Sequence, residues 1–139
     1  MIFDTSGLIG VVIADDPDHQ VAVDTITGAG GPFVIPAGIL AEAAYMIERD
    51  AGTRALAAVL DDLASGAYTL DCGQQDFPRI RELVIRYENL PLGFADAAVI
   101  ACAERTKAEV LTFDRRDFEI VAREGTFRIM QTPWRSRDS

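Results

Sequence analysis

Short apolar runs of three or four residues recur along this chain, separated by longer segments in which apolar residues return at helical spacing. Residues 1–4 form the first such run, a strand closed by an acid. Asp4, Thr5 and Ser6 then open an apolar helix over 8–14, and the spacing predicts a second helix over 18–28, ended in the glycines of 28–31. Residues 33–36 read as a strand passing straight into a helix over 37–49, since proline suits a helix's first turn. A further helix reaches about residue 65, with Leu56, Val59, Leu60 and Leu63 as its core stripe. Residues 68–71 are the third strand candidate. The stretch 74–88 predicts a helix with Phe77, Ile80, Leu83, Val84 and Tyr87 inward and Arg79, Arg81 and Arg86 on a solvated face. Leu90-Pro91-Leu92-Gly93 breaks the chain. Beyond it come an apolar helix, a strand over 110–113, a short helix to about 123 and a last strand over 127–130. Strands alternating with helices imply a mainly parallel sheet covered on both faces.

The polar residues that interrupt the apolar elements are mostly acids. Asp96 stands among Phe94, Ala95, Ala97, Ala98, Val99 and Ile100, where a lone carboxylate is costly without a partner or a cation. Glu42 is the one charge in the first turns of an apolar helix. Asp4 and Asp114 each follow a strand, and in a parallel sheet both leave by the carboxyl edge, where open α/β sheets bind ligands. An N-cap role accounts for one of Asp4, Thr5 and Ser6, not for three cap-type residues in a row. Asp15, Asp16 and Asp18 lie in a turn and read as solvated helix-start residues, with His19 as a surface residue beside them.

Composition narrows the chemistry. A chain of 139 residues predicts one domain, spanning 1–139, with a loose tail over 132–139. The tail's Trp134, Arg135 and Arg137 either stack on bases or stay disordered. No apolar run of about 18 residues exists, so no transmembrane helix is expected. The start lacks a basic stretch, so no secretory signal is expected either. Cys72 and Cys102 have no metal-like spacing and read as reduced thiols, which suits a cytoplasmic protein. A net charge of −9 argues against a non-specific nucleic-acid coat but not against a nuclease, because acids packed into a metal site supply part of it. Lys107 is the one lysine among 13 basic residues, and both coding bias and phosphate recognition by arginine account for that.

Four carboxylates brought together repel one another unless a cation sits among them. Oxygen-only ligands select hard ions, Mg²⁺ or Mn²⁺. Such ions suit phosphodiester hydrolysis, activating water and stabilising the departing oxygen. With His19 as the only histidine, no Ser-His-Asp or Cys-His arrangement competes. A glycosidase would use its acids as a pair, but a chain this short leaves little room for a sugar cleft. A phosphate-receiving signalling domain would need an adjacent acidic pair near the first strand and a late lysine, and both are missing.

Four pieces of the chain carry a resemblance: the opening Met-Ile-Phe-Asp-Thr-Ser, Ala41-Glu42-Ala43-Ala44-Tyr45, Gly93-Phe94-Ala95-Asp96-Ala97, and Leu111-Thr112-Phe113-Asp114-Arg115-Arg116-Asp117-Phe118. In their order and spacing the chain resembles PIN-domain proteins, most of all the VapC-type ribonuclease toxins of bacterial toxin–antitoxin pairs. The resemblance implies a three-layer α/β/α fold and an Mg²⁺- or Mn²⁺-dependent endoribonuclease acting on structured RNA such as tRNA or rRNA. It carries over Asp4, Glu42, Asp96 and Asp114 as catalytic and metal-holding acids. Asp117 matches a further acid, as ligand, supporting group or helix cap. Thr5, Ser6 and Thr112 match small hydroxyl residues beside the site. It also implies a homodimer and a small antitoxin whose tail reaches the acidic pocket. Arg115 and Arg116, next to Asp114, are the nearest candidates for RNA contact, and pairing with neighbouring acids is their other reading. The same fold can also serve as a non-catalytic interaction domain whose acids hold a basic peptide.

Overall fold

The structure, a computed structural model, describes residues 1–132. Trp134, Arg135 and Arg137 therefore lie outside the described residues, while Thr132, where the tail was expected to begin, is buried. Four short strands, β1 (Ile2–Phe3), β2 (Val34–Pro36), β3 (Thr69–Asp71) and β4 (Val110–Leu111), form a sheet in the order β3-β2-β1-β4. Every pairing is parallel, with Ile2 opposite both Val34 and Val110 and Ile35 opposite Leu70. Parallel strands require crossovers, and the helices supply them. They are α1 (Thr5–Val12), α2 (His19–Ala29), α3 (Ala37–Ala51), α4 (Thr53–Ser65), α5 (Phe77–Arg86), α6 (Phe94–Thr106) and α7 (Arg115–Ala122). The result is the expected three-layer α/β/α arrangement around a mainly parallel sheet.

Strands covered on both faces must be apolar throughout, and Ile2, Phe3, Val110 and Leu111 are fully buried. Helix α6 is buried on nearly every side along its middle, since all seven residues from Ala97 to Ala103 are buried. A helix enclosed in this way shows no amphipathic stripe. It therefore aims its first turn, with Asp96, at the carboxyl edge of the sheet. Ile9, Ile13, Ile47 and Val59 form a smaller cluster that joins α1, α3 and α4. Two close approaches depend on glycine. A Cβ at Gly7 would lie 2.1 Å from the Leu111 carbonyl oxygen, and one at Gly38 would lie 2.7 Å from the Ala98 Cβ.

Several side chains differ from expectation. Phe77 and Leu60, expected inward, are 56% and 49% exposed. Each falls on a stripe that the neighbouring elements cover only in part. Arg79 and Arg86 are not simply solvated: Arg79 forks onto Glu104 of α6 through two 2.8 Å bonds, and Arg86 reaches Glu82 and Glu124. The last strand reduces to a single bridge, Val110 with Ile129, because β4 beside it is only two residues long. His19 is half-buried, its Nδ1 2.8 Å from the Gly10 carbonyl. Both cysteines are free thiols, and no described helix is long and apolar enough to cross a membrane.

Candidate active site

Asp4 leaves β1 in extended conformation and caps α1, its Oδ1 accepting the Gly7 amide at 2.7 Å. The capping role and the site role thus fall on one residue. Its carboxylate is 4% exposed and accepts two hydroxyl hydrogen bonds, from Ser6 at 2.9 Å and from Thr112 at 2.6 Å. The same hydroxyls also face the other way. Ser6 Oγ accepts the amides of Phe113 and Asp114, and Thr112 Oγ1 accepts the Asp114 amide at 3.1 Å. Two small side chains therefore tie the end of β1 to the turn after β4. Asp114 is the N-cap of α7, yet its carboxylate makes no capping hydrogen bond.

Around Asp4 opens a cavity of about 300 Å³, which Glu42, Asp96, Asp114, Thr5 and Ser6 also line. The four acids singled out from the sequence thus share one hollow at the carboxyl edge. Glu42 is exposed rather than buried, because its face of α3 borders this hollow. Asp96 sits in the first turn of α6. Burial, reinforced by the charges of Asp114, Asp117 and Glu42, pushes its carboxyl up to about 6. Burial also raises Asp4 to about 6, with the Thr112, Gly7 and Ser6 hydrogen bonds pulling the other way and Asp96 adding to the rise. Asp117 does not line the cavity, but its charge is felt at Asp96.

Asp16 and Asp18 line the cavity too, with Ile9 and Met46 as its apolar flank. The sequence reading left these two acids in a solvated turn. No spacing signals them, because the path of the α1–α2 loop sets their place, not a helical period. Arg115 and Arg116 do not line the hollow. Arg115 turns toward the far side of β4, where it donates to the Met130 carbonyl at 3.2 Å, and Arg116 is exposed.

Among the described residues, no three Asp, Glu, His or Cys side chains already stand as a closed metal-ligand group. The donor set nevertheless fits a hard divalent ion. It contains oxygen alone, and burial, with the neighbouring acids adding to it, raises the proton affinity of two of its carboxyls, a cost that a bound cation would offset.

Fold and hollow together define an open α/β domain with a carboxylate-lined site at the C-terminal edge of its strands. The PIN domain family model matches residues 1–124, and the chain belongs to that family. It is 33% identical over 135 residues to Ribonuclease VapC26 of Mycobacterium tuberculosis, an alignment that covers 96% of this chain and all of the relative. Its fold is similar to the crystal structure of Mycobacterium tuberculosis VapC20, a sarcin–ricin loop cleaving toxin, with a TM-score of 0.81 at 20% identity over 96% of this chain and 100% of the other. A chain of a toxin–antitoxin complex from Klebsiella pneumoniae superposes with a TM-score of 0.63 at 19% identity, covering 84% of this chain and 88% of that one.

Proposed function

We propose that this protein is a metal-dependent endoribonuclease, the toxin of a toxin–antitoxin pair, hydrolysing phosphodiester bonds in structured RNA such as tRNA or rRNA. The observation that carries the reading is the meeting of Asp4, Glu42, Asp96 and Asp114 in one hollow. The relative VapC26, named as a ribonuclease, supports the same activity. Asp4, Glu42, Asp96 and Asp114 would hold Mg²⁺ or Mn²⁺, with Asp117 adding negative charge near Asp96. A bound ion of this kind supplies an activated water and offsets charge on the departing oxygen. The chain's own part is positional. Ser6 and Thr112 orient the Asp4 carboxylate and lock it to the backbone of Asp114. Thr5 lines the hollow beside them.

Without an ion this hollow repels both phosphate and acidic partners. It suits a basic peptide, and the antitoxin is expected to place an arginine or lysine there. Arg116 is the more exposed of the two arginines and the better candidate for contact with RNA. We also infer a homodimer, which light scattering on the purified protein tests.

The deciding experiment is cleavage of total RNA by purified protein with Mn²⁺, with EDTA, and with Asp96→Asn in parallel. Discrete fragments that need both metal and Asp96 are the expected result. Equal cleavage by Asp96→Asn would sink the enzyme reading. Folded protein that cuts in no lane would leave an interaction domain for a basic peptide. Expression without the antitoxin should arrest growth, and normal growth at confirmed protein levels would count against the toxin role.

A further inference from the structure

The acidic cavity occupies the β1–β4 half of the carboxyl edge. The β2–β3 half carries a second hollow, of about 210 Å³. Gly38, Cys72 and Gly73 line it where β2 and β3 end, and the rings of Phe77 and Phe94 line it from α5 and α6. Both rings are left open to water, 56% and 53% exposed. The hollow shares two helices with the acidic site. Phe94 comes two residues before Asp96 on α6, and Gly38 lies one turn before Glu42 on the same face of α3. The Phe94 ring lies over Gly38, where a Cβ would meet its Cε2 at 3.3 Å.

Neighbouring strands are ~4.8 Å apart, so the ends of β1 and β3 are separated by ~10 Å. That is a distance of nucleotide scale along a strand of RNA laid across the sheet edge. The hollow is smaller than the ~300–1,000 Å³ of sites for drug-sized ligands, so its occupant is a single ring system. Its charged groups disfavour phosphate. Asp71 and Asp76 are carboxylates, and Arg105 is already committed to both, at 2.6 Å to Asp71 and 2.9 and 3.0 Å to Asp76. The rest of the lining is mostly apolar, its most exposed part is the two aromatic rings, and every nucleobase has a π-face to lay against them.

We propose that this hollow is a nucleobase subsite: a base neighbouring the scissile phosphate stacks on Phe94, with Phe77 closing the other side. The proposal rests on the ribonuclease reading above and extends it to how the substrate is gripped.

The probe is a short RNA, held with Ca²⁺ in place of Mn²⁺ so that it is bound but not cut, with 2-aminopurine moved through each position in turn. One position should be quenched on binding. Phe94→Leu, which keeps apolar bulk and loses the ring face, should weaken binding at that position roughly tenfold or more. An abasic nucleotide there should cost the parent a similar factor and cost Phe94→Leu nothing further. Phe77→Leu repeats the comparison from the opposite wall and serves if Phe94→Leu does not fold. Quenching at no position overturns the proposal, as does an equal abasic loss in parent and variants. If light scattering shows either variant breaking a dimer while the base scan is unchanged, the face belongs to a second copy of the chain, and the subsite is again overturned. A parent that cuts RNA without position-specific quenching loses the subsite alone. A parent that quenches but never cuts with Mn²⁺ loses the ribonuclease reading instead.

Discussion

Asp4 accepts an amide and two hydroxyls, and burial still outweighs them in its proton affinity. Asp96 is raised to about 6 as well, by burial and by neighbouring acids. A carboxyl raised in the folded state contributes stability that is complete below its unfolded pKa, near 3.8, and is lost as pH rises through about 6. In EDTA, Asp96→Asn should therefore gain thermal stability relative to the parent between pH 5 and pH 7. A difference that stays constant across that range would refute the assignment. Ser6→Ala removes one donor to Asp4 and the acceptor of the Phe113 amide. Urea unfolding should show a loss of about 1–3 kcal/mol, and cleavage should fall because Asp4 and Asp114 are no longer joined through it. The sequence made Asp4 legible as an acid at a strand end. It did not reveal that the same carboxylate caps α1, because cap geometry depends on how β1 enters the helix.

Elements set the limits of what the pattern could tell. Helix α6 was legible as an apolar helix, and the structure buries its middle, Ala97 to Ala103, on every side. The stripes of α4 and α5 were legible as stripes, but their extent was not. Ile80 and Leu83 are buried, whereas Phe77, at the start of the same stripe, overhangs into solvent. Helical period names a face and is silent on how far the neighbouring element reaches along it. Asp16 and Asp18 escaped for a related reason, since a loop has no period from which to read its path. Contact between elements gives a paired prediction. Gly7→Ala would drive a Cβ into the Leu111 carbonyl oxygen, a backbone atom that cannot rotate away, and should cost about 2 kcal/mol or more. Gly28→Ala, in α2 with open space around it, should instead gain about 0.5 kcal/mol. Similar losses in both would mean that close packing of α1 on β4 is not what Gly7 serves.

Across the whole molecule, strand order does what no single motif could. With β1 central and β4 beside it, Asp4 and Asp114 emerge next to each other, although 110 positions separate them in the chain. The alternation of strands and helices made a parallel sheet legible. The order β3-β2-β1-β4 was not legible, because short strands carry too few side chains to specify their neighbours. A molecule of net charge −9 that gathers acids at one edge should respond to divalent ions. Mg²⁺ or Mn²⁺ at tenfold excess over its dissociation constant should stabilise the fold by ~1.4 kcal/mol. Differential scanning calorimetry checks this, with the Asp4→Ala, Asp96→Ala double variant as control. An equal gain in the control would mean general screening rather than a site.

The double duty of Asp4 also bears on how such a protein decays over generations. A lineage released from selection for cutting RNA has little to hold Glu42 in place, since it is exposed and lies inside α3, away from the helix ends. Asp4 is anchored by the first turn of the molecule's first helix, and Asn or Ser preserves that anchor at small cost. Descendants that have lost the activity should therefore still carry Asp, Asn or Ser at this position while Glu42 drifts. An unaltered Asp4 is thus a poor sign of a living enzyme, and the state of Glu42 is a better one.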